Sequence, residues 1–194
     1  MLSTSFVYLV LCVFCLRILP MKTSYSSLQT CHVQEMGTVE SLTQNPELTL
    51  WDGSVGEGTE LVIRSPSGII VNETYLGASI AINGVCTTVV EFDDHTFKVG
   101  LAPETLRRSN LGTLTGGAPV NLERSLPADG RNSGHFVQGH VDCTGTIISK
   151  DFEGESLWVK VKAPPELMKY VVPKGFIAVD GTSLTVCEVG KLAN

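Results

Sequence analysis

Two stretches of this chain are one hairpin written twice. Ile82-Asn-Gly-Val-Cys-Thr-Thr-Val-Val-Glu91 lies over Val179-Asp-Gly-Thr-Ser-Leu-Thr-Val-Cys-Glu188 without a gap, at an offset of 97 residues. Gly84 meets Gly181, Cys86 meets Ser183, and Thr88 meets Thr185. Each stretch has apolar or β-branched runs on both sides of Asn-Gly or Asp-Gly. That is the strongest short-range hairpin signal, because both central residues of a type I′ turn need positive φ. A second block, His32-Val-Gln-Glu-Met-Gly-Thr-Val39 over His140-Val-Asp-Cys-Thr-Gly-Thr-Ile147, occurs in the same order. A repeat of this size means two copies of one small unit. Copy one runs from about residue 28 to 138 and copy two from 139. The sequence ends at Asn194 before a counterpart of Thr96–Glu123, so the second copy is expected to be incomplete.

The rest of the chain fits strands and turns. Nineteen glycines and nine prolines suit many short strands better than a helical bundle. Further strands are expected at Gly37–Glu40, Leu61–Ser65, Thr96–Leu101, Pro119–Glu123, Gly145–Ser149 and Leu157–Lys162. Short helices are expected at Pro103–Asn110 and Pro164–Tyr170, each opening on Pro and Glu. Hydrophobic residues at 43% allow a real core. A net charge of -6 leaves no basic stripe for nucleic acid.

Phe6–Leu16 is uninterrupted apolar sequence followed by Arg17. Eleven residues are too few for a membrane-spanning helix, which takes about 20, and the body of the chain shows no membrane segment. The length suits a signal-peptide core, yet no basic residue precedes it and no small-x-small cleavage site follows. Translation of an ill-predicted first exon is an equal reading, and residues 1–27 are left out of the fold on either. A cytoplasmic location is favoured for the body, with an organellar or signal-directed one left open by that segment. Of six cysteines, Cys86, Cys143 and Cys187 sit inside apolar or Thr-rich runs and read as reduced thiols on strands.

Five motifs in order resemble the riboflavin synthase family. They are Gly77-Ala-Ser-Ile-Ala-Ile-Asn-Gly-Val-Cys-Thr-Thr-Val89, Pro103-Glu-Thr-Leu-Arg-Arg-Ser-Asn-Leu-Gly112, Val120-Asn-Leu-Glu-Arg124, Gly134-His-Phe-Val-Gln-Gly-His-Val-Asp142 and Lys174-Gly-Phe-Ile-Ala-Val-Asp-Gly-Thr-Ser-Leu-Thr-Val186. The resemblance covers residues 33 to about 190. It implies an all-β chain of tandem six-stranded Greek-key β-barrels, the second one incomplete here, with few short helices. It further implies trimers whose active sites lie between the first barrel of one subunit and the second of the next. The implied reaction converts two 6,7-dimethyl-8-ribityllumazine molecules to riboflavin and 5-amino-6-ribitylaminouracil, without a cofactor. Association with lumazine synthase is a further partner it allows. The family usually starts Met-Phe-Thr-Gly-Ile-Val-Glu, whereas here Gln29 stands for the Phe and Cys31 for the Gly. The incomplete second copy and this altered start lead to an expectation of impaired activity.

The same resemblance assigns ligand contacts to Cys31, His32 and Val33, to Cys86, Thr87 and Thr88, to Gly100, Leu101, Ala102, Pro103, Glu104 and Thr105, and to Gly139, His140 and Val141. In the second copy it assigns them to Lys174, Ser183, Leu184 and Thr185. Cys86, His140, Ser183 and Thr185 are the candidate proton carriers or nucleophiles. On chemistry alone, a flat heterocycle with a polyol tail wants hydroxyls, backbone amides and apolar walls, and Thr-rich hairpins beside glycine turns supply them. The plain alternatives are a small buried hydrophobe for Cys86, β-propensity for Thr88 and Thr185, and a helix start for Glu104 and Thr105. His95 follows Asp93-Asp94 and reads as a solvated turn residue. His135, His140 and Cys143 have no zinc-knuckle spacing and no local fourth ligand, so no metal is expected. Two other classes compete with an enzyme: a lumazine or flavin binder without turnover, and a flavin-binding reductase barrel. The latter lacks its Arg-x-Tyr-Ser type motif here.

Overall fold

The computed structural model describes residues 5–12, 29–50, 52–132 and 134–191. The strands among them are β1 (Ser5–Cys12), β2 (Glu35–Thr49), β3 (Val55–Arg64), β4 (Ser79–Ile82), β5 (Val85–Phe92), β6 (Thr96–Leu101), β7 (Pro119–Arg124), β8 (Thr146–Glu153), β9 (Ser156–Ala163), β10 (Phe176–Val179) and β11 (Thr182–Lys191). One helix, α1 (Pro103–Arg108), follows β6. The end of the apolar run, from Val13 on, and Leu28 lie outside the described residues. The chain divides into two compact units, one built on residues 18–141 with 180–182, the other on 1–17, 142–179 and 183–194.

The first unit is a closed, all-antiparallel barrel in the order β2-β3-β6-β5-β4-β7. Alternation builds it. On β6, Phe97, Val99 and Leu101 are buried, while Thr96, Lys98 and Gly100 between them are half-buried. Phe97 packs inside with Leu61, Ile63, Ile80, Ile82 and Leu122. A period of two with one face inward leaves a single workable register, since a slip of one residue would turn every apolar side chain outward. Asn83 and Gly84 have φ of 48° and 77°, the type I′ turn expected at the hairpin. Asp180 and Gly181 repeat it with φ of 47° and 80°.

Two segments differ from their sequence reading. The strand expected at Gly37–Glu40 runs on to Thr49 as one arm of a long hairpin with β3, although Pro46 interrupts the pattern. That arm is mostly exposed and its register shifts between Asn45 and Leu48, as a proline that donates no hydrogen bond requires. The helix expected at Pro164–Tyr170 is instead a pair of turns closing on the Pro164 and Pro165 carbonyls, then a 3-10 turn at Met168–Tyr170. The prolines at 165 and 173 disfavour α backbone at the residues before them, so these turns do not lengthen into an α-helix.

The second unit is an open five-stranded antiparallel sheet in the order β10-β11-β1-β9-β8. The N-terminal strand, kept apart from both copies in the sequence reading, lies in its middle. Val7 is 2% exposed and packs with Leu184 and Val186, flanked by Val161, Met168, Val171, Ile177, Val179 and Val189. This core is much smaller than that of the first unit, and β8 is exposed along nearly its whole length.

Candidate functional site in the first barrel

The hairpin turn decides which side chains can meet a ligand outside the barrel. Counting back from Asn83-Gly84 pairs Ile82 with Val85, Ala81 with Cys86, Ile80 with Thr87 and Ser79 with Thr88. Ile80, Ile82, Val85 and Thr87 are buried on the inner face. Ser79, Cys86 and Thr88 are half-buried on the outer one. Thr87 is therefore separated from Cys86 and Thr88: it is 4% exposed, and its hydroxyl donates to the Ile80 carbonyl at 2.8 Å. Ser79 belongs to the cluster and was not singled out in the sequence, although counting the hairpin register finds it.

A pair of repeat-related segments packs against part of this face, near Ala81 and Cys86. Gln29 and Val137 exchange backbone hydrogen bonds at 3.1 Å, and the His135 amide donates to the Thr30 carbonyl. The Cys86 amide donates to the Gly139 carbonyl at 2.8 Å. Gly139 has φ of +72°, and a Cβ there would stand 2.4 Å from Gln29 Oε1 and 2.8 Å from Cys86 Cβ. Only glycine fits that approach. His140 follows it, exposed, and Val141 packs on the barrel core.

Beneath the cover lies a polar group that sequence reasoning missed. Glu123, beside Ala81 on β7, is 4% exposed. Its Oε1 accepts from the Thr30 amide at 2.7 Å and the Thr30 hydroxyl at 2.8 Å. Its Oε2 and both amide atoms of Gln29 are buried without a hydrogen-bond partner. Burial pushes the Glu123 carboxyl up, against lowering hydrogen bonds from Thr30 and the His32 backbone. Burial, helped by Glu123, also pushes the Cys31 thiol up to about 12. Cys31 is thus a neutral buried thiol rather than a nucleophile. The Cys86 thiol is likewise raised by burial, with a hydrogen bond to Ser79 pulling the other way. That favours Cys86 as a packing and hydrogen-bonding group over a thiolate. His32 is exposed and Val33 half-buried at the edge of this cluster.

The Gly100–Thr105 segment reaches the same barrel end. Val89 pairs with Val99, so continuing the register sets Thr88 beside Gly100. Leu101 points inward and is 3% exposed. Ala102 and Pro103 are exposed, and Thr105 is half-buried in α1. Glu104 is turned to its own helix, holding Arg107 at 2.6 Å and Arg108 at 2.7 Å, which lower its carboxyl below the ordinary range. His95 is a turn residue as expected, its amide donating to Asp93.

In the second unit, Ser183 is half-buried and Thr185 exposed, on the opposite face of β11 from buried Leu184. Lys174 is exposed, and its amide donates to the Val186 carbonyl at 2.7 Å. A cleft of about 880 Å³ in the first unit lies elsewhere, between Ser67–Thr74 and Phe92–His95, and no candidate residue lines it. It is an open groove, so position on the hairpin face carries more weight than cleft size. Among the described residues, no three His, Cys, Asp or Glu side chains converge as metal ligands would.

Residues 30–125 and 138–193 match the lumazine binding domain family. Riboflavin synthase of Saccharomyces cerevisiae is 45% identical over 83% of this chain and 66% of its own length. That of Meyerozyma guilliermondii is 48% identical over 81% of this chain and 65% of its own. The Bacillus subtilis enzyme is 40% identical over 79% and 66%. The chain thus spans just under two thirds of the length of these relatives. In three dimensions it is similar to LumP complexed with 6,7-dimethyl-8-(1'-D-ribityl) lumazine, with a TM-score of 0.66 at 21% identity over 82% of this chain and 80% of that one. LumP complexed with riboflavin gives 0.68 at 20% identity over the same shares. The closed barrel, the repeated hairpin and the two matched segments together make this chain a member of the lumazine binding domain family.

Proposed function

We propose that the chain carries the chemistry of riboflavin synthase: two molecules of 6,7-dimethyl-8-ribityllumazine exchange a four-carbon unit to give riboflavin and 5-amino-6-ribitylaminouracil. The observation that supports it most is 45–48% identity to two riboflavin synthases across more than four fifths of this chain. The outer face of the β4–β5 hairpin suits one substrate ring: Ser79, Cys86 and Thr88 offer short polar groups, and the Gly139 backbone can come close. Thr105 and the Ala102-Pro103 wall stand at its end. In the second unit Ser183 and Thr185 take the places of Cys86 and Thr88, Leu184 packs behind them, and Lys174 is a further polar group there.

In this reading a proton leaves the C7 methyl of one lumazine, and the resulting carbanion attacks the second lumazine. A nucleophile adds at C7 of that second ring to activate it, and the joined adduct fragments to the two products. The two lumazines together contain every atom of the products, so no oxidant or carrier is needed. The protein's main contribution is holding two rings face to face, a large term for a bimolecular step. His140 is the exposed base nearest the Gly139 approach and the candidate for moving the proton. Water, a hydroxyl of Ser183 or Thr185, or the Cys86 thiol is the candidate nucleophile, with burial disfavouring the thiolate of Cys86. A homotrimer would pair the first barrel of one subunit with the second unit of the next, and sedimentation at three chain masses tests it. Docking on lumazine synthase would bring the substrate's source close, and co-elution of the two proteins tests that.

The deciding experiment incubates the purified chain with 6,7-dimethyl-8-ribityllumazine and follows riboflavin fluorescence. Riboflavin formation is expected, slower than from a chain whose second barrel is complete. One observation favours a second reading, lumazine or flavin binding without turnover: the first unit is a closed barrel while the second is an open sheet. Saturable binding with no riboflavin formed would select that reading, and no binding would remove both.

A further inference from the structure

We propose that Ser5–Cys12 is a complementing strand, which fills in the second unit the place that β6 fills in the first barrel, residue for residue. The repeat sets the coordinates. β5 corresponds to β11 through the hairpin match, so Val89, Glu91 and Phe92 correspond to Val186, Glu188 and Val189. β3 corresponds to β9 when Pro66 is set on Pro164, so Leu61, Val62 and Ile63 correspond to Val159, Lys160 and Val161.

In the first barrel, Val99 stands opposite both Leu61 and Val89. In the second unit, Leu9 stands opposite both Val159 and Val186. Lys98 faces Val62 and Glu91, and Tyr8 faces Lys160 and Glu188. Phe97 faces Ile63 and Phe92, and Val7 faces Val161 and Val189. Three consecutive residues therefore agree on both flanks.

The irregularity agrees too. Between Val99 and Lys98 the partner strand skips Val90, and between Leu9 and Tyr8 it skips Cys187, which corresponds to Val90. A bulge fixes register, since sliding the strand by one residue would move it off the skipped position and reverse the faces. The faces match as well: Phe97 is 1% exposed and Val7 is 2% exposed. An apolar run that reads as a targeting signal thus has a structural role. Val10 and Leu11 stand where Gly100 and Leu101 stand in the first barrel, so this strand also takes the position of a candidate ligand wall. The proposal concerns strand placement and does not depend on turnover.

The test uses the full chain. Ser156→Cys places a thiol opposite Cys12, at the separation of directly paired antiparallel residues, which a disulfide can span. Mild oxidation followed by peptide mass mapping is expected to show a link from Cys12 to that introduced sulfur. Lys162→Cys, paired with Phe6 at the other end of the strand, is expected to give no link to Cys12. Absence of the first link, or equal linking in both variants, overturns the proposal. A second measurement covers misfolding. Val7-Tyr-Leu-Val-Leu11 is replaced by the β6 sequence Phe-Lys-Val-Gly-Leu, in register in one variant and one position later in the other. The in-register cassette is expected to retain amide protection of β9 and β11, and the shifted one to lose about tenfold or more. Equal protection in the two cassettes, whether kept or lost, overturns the assigned register.

Discussion

The two units solve one barrel plan with different chain economies. In the first, β6 follows β5 across the Asp93–His95 turn, and every strand of the barrel comes from one continuous stretch. In the second, the strand beside β11 comes from the other end of the chain. Closing a loop of about 170 residues rather than a few costs roughly 3 kcal/mol more in chain entropy. The second unit also has the smaller core. The place beside β11 thus takes a strand of quite different sequence from β6, with Val7 buried as Phe97 is. The difference teaches where stability should reside: the first barrel should melt later, and β1 should join the second unit late in folding.

The strongest way to break that comparison is to cut matching core positions. Phe97→Ala should cost about 3–5 kcal/mol and shift the later of two melting transitions. Val7→Ala should cost roughly 2 kcal/mol or less and shift only the earlier one. Calorimetry decides it, and a common transition moved by both variants would mean that the units do not melt apart. Next comes Gly139→Val, which adds a side chain at φ +72° against the Cys86 backbone, 2.9 Å away. Left-handed strain and overpacking together should cost about 2–4 kcal/mol. Titration with riboflavin should also weaken at the first barrel while the second unit's melting is unchanged.

Smaller still is a pH effect confined to the first barrel. The Glu123 carboxyl is raised in the folded state, so folding favours its protonated form. Its stabilising contribution is complete below the unfolded-state pKa and is lost as pH rises through the higher folded value. Glu123→Gln should therefore flatten the fall in urea midpoint between the ordinary glutamate range and that folded value. A variant with the same slope as the parent would place the titration elsewhere. The smallest expected effect is at Glu104, which is exposed and held by Arg107 and Arg108. Glu104→Gln should leave melting unchanged, and any loss of lumazine affinity measured by fluorescence would then come from ligand contact.

Both hairpins were legible because Asn-Gly and Asp-Gly specify their turn and the flanking residues alternate. The N-terminal strand was not legible. Its residues are apolar without the alternation that marks a half-buried strand, so the run looks like a targeting segment. Glu123 and Gln29 were missed for the opposite reason. Val120-Asn-Leu-Glu-Arg reads as a strand with polar residues facing water, but that face is covered by Thr30, Cys31 and the Gly139 segment, which come from distant parts of the chain. The motif sets Thr87 in a ligand-contacting segment, and register counted from the turn sends its side chain into the core.

The residue that opens the second hairpin has one further consequence. Gly77 has φ of +85° and donates its amide to Val89, and Lys174, at the same place in the other copy, has φ of +66° and donates to Val186. The backbone asks for glycine at both positions, and a lysine there carries about 1 kcal/mol of steric strain. Nothing in the turn is improved by its side chain. The strained position thus carries a side chain that is exposed and puts a cation in solvent. Its ammonium group is the feature there that a chemist should question first.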